Sequence, residues 1–282
     1  MAHHEINFSN WQASWISMED YRPEEGFEEI VGDSKGLKRM LKLAMKVARS
    51  DAPVLILGED GSGKELIARA IHRISARKNQ SFVKMNCTAE PSAAGVQESD
   101  LIGLENEGQD ERKKFGYVEL ANEGTLFLDE IAHLSLSLQA KLLRLLQRRE
   151  IERVGGKHSI GVNVRVIATT QHDLGERVAK EMFRGDLYDQ LNVFPVPVPA
   201  LRERCDDIPL LVRYFMQKFA RRLNKRIETI PAETLSFLTN SDWPGNVRQL
   251  EILIERSVVL TEGSVLCVPR SGFQPGSGPE NS

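Results

Sequence analysis

The sequence predicts an α/β fold, a parallel sheet with helices on both faces, followed by a small all-helical part. Three observations carry this. Short apolar runs of strand length alternate with segments whose apolar residues recur at helical spacing. A glycine-rich turn at 58–63 joins one such run to one such helix. After Pro199 the strand signals stop and only helical periodicity continues.

The elements follow in order. Val54, Leu55, Ile56 and Leu57 form an apolar run bounded by Pro53 and Gly58, the pattern of a strand buried on both faces. Leu66, Ile67, Ala70, Ile71 and Ile74 then recur at helical spacing. Residues 82–85 and 125–128 read as the second and third strands. Residues 138–147 read as a helix with Leu142, Leu145 and Leu146 on its apolar face. Residues 164–168 are a fourth strand. Residues 193–198 are a fifth, and their prolines, which cannot donate to a ladder, assign it to an edge. Helices are expected over 208–223, 231–239 and 246–260. The turn Trp243, Pro244, Gly245 starts the last of them, with Asn246 as its N-cap.

Composition bounds the rest. A chain of 282 residues accommodates one large or two modest domains, with a core that needs no disulfide. We divide it into an arm (1–29), an α/β domain (30–199), a helical domain (200–268) and a flexible Gly/Pro/Ser tail (269–282). The 37 basic residues against 40 acidic ones leave a net charge of −3, which excludes a polycation gripping nucleic acid by charge alone. Lys141, Arg144, Arg148 and Arg149 read as the solvated face of an amphipathic helix. Three separated cysteines, Cys87, Cys205 and Cys267, read as reduced thiols buried as small hydrophobes. No apolar run reaches membrane length and the start lacks the pattern of a signal peptide, so the expected location is cytoplasmic.

Two motifs carry chemistry. Gly58, Glu59, Asp60, Gly61, Ser62, Gly63 and Lys64 match G-x-x-x-x-G-K, placed between a strand and a helix and followed by Glu65. Backbone N–H groups must converge on phosphate oxygens there, and glycine permits so tight a turn. The helix adds its positive end, and Lys64 supplies charge for β and γ phosphates. The second motif is an apolar strand ending in Asp129 and Glu130. It delivers two carboxylates to the carboxyl edge of the sheet, where open α/β sheets bind ligands. Asp129 suits Mg2+, and Glu130 suits deprotonating an attacking water.

From 30 to about 266 the chain resembles the AAA+ ATPase domain of bacterial sigma-54-dependent transcriptional activators, most of all the formate hydrogenlyase activator group. The stretches that carry the likeness are Ile30 to Ser34, GEDGSGKELIARAIH, Val83 to Cys87, ELANEGTLFLDEI, LQAKLLRLLQ, ERVGG, FRGDLYDQLNVFPV, LRER and WPGNVRQLE. The resemblance implies an AAA+ phosphate-loop NTPase with a helical lid, using ATP and Mg2+ at the interfaces of a hexamer or heptamer. A Glu after the phosphate-loop Lys is usual in this family, which accounts for Glu65. The resemblance implies that Val31 lies near the adenine. Asn86 would restrain the catalytic Glu, Gln171 would stand at the γ-phosphate sensor, and Arg248 would be the lid arginine that senses the same phosphate. Arg184 would reach the ATP of the next subunit. The implied partner is the sigma-54 form of RNA polymerase.

Three departures bear on function. The sigma-gripping signature GAFTGA is absent, and a shorter hydrophilic run from Glu105 to Lys114 stands in its place. Gln190 occupies the position of a second trans-acting arginine. Gln171 replaces the usual Asn. These leave an alternative, a nucleotide-gated regulatory or assembly subunit of weak turnover that co-assembles with a related activator. No helix-turn-helix follows Leu260, so no DNA-binding domain is expected in this chain.

Overall fold

The structure is a computed structural model that describes residues 26–88, 96–105 and 113–269. Most of the expected arm, most of the charged run replacing GAFTGA, and nearly all of the expected tail lie outside the described residues.

The chain begins with α1 (Lys35–Ala48), whose N-cap Ser34 accepts a hydrogen bond from the Leu37 N–H. Then come β1 (Val54–Leu57), α2 (Lys64–Arg73) and β2 (Phe82–Asn86). A short stretch follows with α3 (Glu98–Ile102), the antiparallel pair β3 (Leu104–Glu105) and β4 (Lys113–Lys114), and α4 (Tyr117–Leu120). Next are β5 (Thr125–Asp129), α5 (Leu136–Arg148), the hairpin β6 (Glu150–Glu152) and β7 (Ser159–Gly161), and β8 (Arg165–Thr170). Helices α6 (Leu174–Ala179) and α7 (Gly185–Leu191) precede β9 (Pro195–Pro197). The helical part contains a 3-10 stretch at Leu201–Asp207, α8 (Ile208–Arg222), α9 (Ala232–Thr239) and α10 (Asn246–Leu260).

Five strands form one parallel sheet in the order β2-β5-β8-β1-β9. The proline-rich β9 is an edge strand, as its missing donors require, and it is shorter than the sequence suggested. Successive side chains of a strand point to opposite faces, so the sheet builds two cores. Leu55, Met85, Leu126, Leu128, Val166 and Ala168 pack with Leu138, Leu142 and Leu145 of α5 and Leu187 and Leu191 of α7. Val54, Ile56, Phe127 and Ile167 pack on the other side with Leu37, Leu41 and Ala44 of α1 and Ile67 and Ile71 of α2. Burying each of the larger of these side chains stabilises the fold by about 1.5–3 kcal/mol. A third cluster, built on Trp243, Phe215, Leu250 and Ile254, holds the helical part together.

Two sequence expectations need correction. Asn246 does not cap α10. Gly245 is the N-cap residue, and Asn246 is fully buried inside the helix start with φ +51°, its side chain drawn away by partners in the α/β part. Of the three free cysteines only Cys87 is buried; Cys205 is half-buried and Cys267 exposed. The basic stretch on α5 is a solvated face, as expected, with Arg144 on Glu152 at 2.5 Å and Arg148 exposed.

Candidate phosphate site and its family

Because every sheet neighbour is parallel, the C-terminal ends of β1, β8, β5 and β2 lie along one edge. That edge brings the two motifs together. The loop after β1 turns through Gly61 at φ +71° and Gly63 at φ +104°, a conformation that costs an L side chain about 1–2 kcal/mol. At Gly61 an added Cβ would lie 2.3 Å from the Gly245 carbonyl oxygen, so the glycine also admits the helical part to the loop. At Gly63 the space beyond the backbone is open for 4 Å.

Lys64 opens α2 and is buried. Its ammonium donates to the Gly58 and Glu59 carbonyls at 2.8 and 3.2 Å and pairs with Glu130 Oε1 at 2.9 Å. Glu130 follows β5 in the left-handed region, φ +57°, an unusual conformation for a residue with a side chain. Its N–H donates to Thr169 Oγ1 at 3.1 Å, and its Oε2 accepts the Gln171 N–H at 3.1 Å. The Thr169 hydroxyl donates to Asp129 Oδ1 at 2.8 Å. The side of the site toward β2 is electrostatic. Lys84 Nζ stands 3.0 Å from Asp129 Oδ2 and 2.7 Å from Glu65 Oε2, and Glu65 also takes Arg69. Burial opposes charge on Lys84, but its two carboxylate partners outweigh that and raise its pKa; burial likewise opposes charge on Glu65, and Lys84 and Arg69 hold its carboxyl below the ordinary value.

The helical part grips the loop from above. Arg202 forms a two-pronged pair with Glu59 at 2.8 and 2.5 Å. Asn246 Nδ2 donates to Glu59 Oε2 and to the Asp60 carbonyl, each at 3.0 Å, while its oxygen accepts the Leu201 N–H at 2.8 Å. Arg202 first, then Asn246, lowers the pKa of Glu59 to about 2. The buried Arg204 donates to the Ser62 carbonyl at 3.0 Å, and burial pushes its own pKa down. The Arg248 N–H donates to the Gly61 carbonyl at 3.2 Å, and its guanidinium meets the exposed Asp60 at 2.8 Å. Val31 is buried in the helical core with Leu201 and Ile208, just before Asp33 and Ser34, whose N–H groups donate to the fully buried Asp207.

Three further residues that the resemblance implies lie as follows. Asn86 is the register partner of Asp129, and its side-chain Oδ1 accepts from the Thr88 N–H and hydroxyl, while the two Glu130 oxygens go to Lys64 and Gln171. Gln171 meets Glu130 through its backbone, and its side chain is exposed. Arg184 is not part of this hydrogen-bonded group: its guanidinium holds Asp186 at 3.0 and 2.7 Å, and Gln190 is exposed on α7. Sequence reasoning gave no role to Lys84, Thr169, Arg202 or Arg204. For Arg202 and Arg204 the signal was their place in the quoted LRER stretch.

The geometry fits a bound polyphosphate with a cation. Ser62 Oγ is buried in the loop without a partner, Gly63 leaves its cradle open, and a positive charge already bridges the Asp129 and Glu65 carboxylates. The sigma-54 interaction domain family profile matches residues 30–197, and that of the AAA+ ATPase lid domain matches 202–269.

The chain belongs to the sigma-54 interaction domain family.

It is 54% identical over 242 residues to the formate hydrogenlyase transcriptional activator FhlA of Escherichia coli K12, covering 85% of this chain and 35% of that one. The transcriptional regulatory protein ZraR of Salmonella typhimurium is 45% identical over 84% of this chain and 54% of its own. Among solved structures, NtrX of Brucella abortus in complex with ATP superposes with a TM-score of 0.76 at 39% identity, covering 82% of this chain and 50% of that one. The fold of this sigma-54 interaction domain is thus that of an AAA+ phosphate-loop NTPase with a C-terminal helical lid. It spans about a third of the length of the formate hydrogenlyase activators it matches. Among the described residues no helix is long and apolar enough to cross a membrane.

Proposed function

We propose that this domain binds and hydrolyses ATP at the interfaces of a ring of identical chains, and couples the cycle to a protein partner, the sigma-54 form of RNA polymerase. The observation that carries the proposal is the contact of the buried Lys64 with Glu130 at the foot of the phosphate loop. The ammonium that would neutralise β and γ phosphates and the carboxylate that would deprotonate water already share one hydrogen-bonded group.

The residues act as follows in this reading. The loop 58–63 presents its N–H groups and the unpartnered Ser62 hydroxyl to the phosphates. Lys64 exchanges Glu130 for phosphate oxygens, so its ammonium stays paired with an anion while the added phosphate charge is met by the loop N–H groups and the cation. That exchange frees Glu130 to accept a proton from water at its Oε1, while Gln171 N–H fixes Oε2. Asp129, steadied by Thr169, would hold Mg2+ with Glu65 and Lys84 beside it; the ion would draw off charge that develops on the phosphate oxygens. Arg248 and Arg202 report the loop's state to the lid through Gly61 and Glu59. Arg184 would leave Asp186 to approach the neighbour's nucleotide, and Val31 would border the base. Until the partner engages, Asn86 would hold Glu130 away from water. The ATP-bound NtrX structure and the family membership support the nucleotide assignment.

A second reading, a regulatory subunit of weak turnover that joins a related activator, is favoured by Gln190. Glutamine cannot put a full charge on the transferring phosphate, and a missing trans-acting arginine costs on the order of 10³-fold or more. Binding of a fluorescent ATP analogue to wild type and to Lys64→Ala, followed by open-complex formation at a sigma-54 promoter with ATP, tests both. The main reading expects Lys64-dependent binding and ATP-dependent opening. Binding without opening selects the regulatory subunit, and Lys64-independent binding overturns both.

A further inference from the structure

Two histidines with no part in the phosphate chemistry stand beside Glu130 and make a cluster of ligating side chains with it. Glu130, His133 and His172 place a carboxylate oxygen and two imidazole nitrogens within 4.8 Å of one another. The two rings meet edge to face with centroids 5.3 Å apart. Glu130 and His133 are separated by one turn of the 3-10 helix Ile131–His133. His172 comes from the other side, two residues past the end of β8, where its N–H is fixed on Thr170 Oγ1 at 3.0 Å. His133 is exposed and His172 half-buried, so the cluster opens to solvent.

We propose that Glu130, His133 and His172 form a binding site for a divalent transition-metal ion such as Zn2+, and that filling it withholds Glu130 from water activation. The second half rests on Glu130 being the base of the ATPase. Two imidazoles and one carboxylate make a donor set suited to Zn2+ with a fourth position left for water, whereas Mg2+ prefers oxygen ligands in octahedral array. The site is therefore chemically distinct from the carboxylates at Asp129. Donor atoms of a tetrahedral site with bonds of about 2.0–2.1 Å lie about 3.3 Å apart, so rotation of the two imidazoles about their side-chain bonds closes the set. Glu130 is already steadied from behind by the Gln171 and Thr169 contacts, which leaves its position defined when a metal arrives. Lys64 has two carbonyl acceptors, Gly58 and Glu59, and keeps them when a cation takes the carboxylate. The outcome is a brake on turnover that leaves the phosphate loop open to nucleotide.

The test starts from nucleotide-free protein freed of metal by a chelator and titrated with Co2+, whose visible absorption reports nitrogen and oxygen ligands in a tetrahedral field. We expect a saturable band, weakened at least about tenfold in affinity in His133→Ala and again in His172→Asn. Thermal melts of both metal-free variants check that each is folded. Zn2+ should then lower phosphate release by the wild type at unchanged KM for ATP, and leave His133→Ala unaffected. A band of equal affinity in wild type and both variants would assign the metal to other groups, such as the free thiols of Cys205 and Cys267, and would overturn the site, as would the lack of any band. Binding is read without nucleotide. A chelated wild type that turns over no ATP after Mg2+ is restored therefore sinks the base assignment alone, while the Co2+ titration still decides the site.

Discussion

Lys64 and Glu130 form an ion pair in which both side chains are nearly buried, at 7% and 13% exposure, so neither is a bystander of the other. Glu130→Gln keeps the shape and the Gln171 contact but removes the base. Steady-state phosphate release should fall by about 10²–10⁴-fold while nucleotide affinity changes little. Asp207 fixes the segment that leads into α1. Its carboxylate is fully buried and accepts from the Asp33 N–H, the Ser34 N–H and the Ser34 hydroxyl at 2.6 to 2.8 Å. Asp207→Ala leaves those donors unsatisfied and should cost on the order of 3 kcal/mol in denaturant unfolding. The carboxylate pair was legible in the sequence because a strand with two terminal acids, behind a glycine loop, has few other readings. Lys84 and Thr169 were not, since they reach the site through sheet register, β2 beside β5 and β5 beside β8, and register is a tertiary fact.

Most elements with a strong period were read from the sequence, but α1 was not, although Leu37, Met40, Leu41, Ala44 and Val47 recur at helical spacing. β1 runs over the four residues its apolar run marked, and α8 and α10 begin where helical spacing began. The short α6, α7 and the hairpin β6–β7 carry too few apolar residues to show a period, yet Leu174, Leu187 and Leu191 bury into the sheet's core. The start of α10 was misread because Asn246 has the chemistry of a cap but spends it on Glu59, Asp60 and Leu201. Two substitutions separate packing from loop geometry. Trp243→Ala empties the centre of the helical core, where the indole N–H also donates to the Leu238 carbonyl at 2.8 Å, and should cost about 3–5 kcal/mol in thermal or denaturant unfolding. Gly61→Ala adds at least about 1 kcal/mol of backbone strain and pushes on the Gly245 carbonyl. It should weaken nucleotide binding more than it lowers the melting temperature.

At the scale of the molecule, the α/β part and the lid meet at the phosphate loop, and Glu59 is a titratable link between them. Its pKa falls from 4.5 to about 2 on folding. A depressed carboxyl stabilises the fold above its unfolded pKa and loses that contribution as pH falls toward the folded one. Wild type should therefore lose stability faster than Glu59→Gln between pH 4.5 and about 2, read as melting temperature against pH. The two-part architecture was legible from the point where strand signals end. The lid's hold on the loop was not, because Arg202, Arg204 and Asn246 find Glu59 and Ser62 across more than a hundred residues of chain. The most direct test of the account is phosphate release per chain measured against protein concentration, for wild type and Glu130→Gln. An ATPase built at subunit interfaces predicts a specific rate that climbs with concentration and falls at least about a hundredfold in the variant. A rate per chain that is flat with concentration, or that is undiminished in Glu130→Gln, would contradict it.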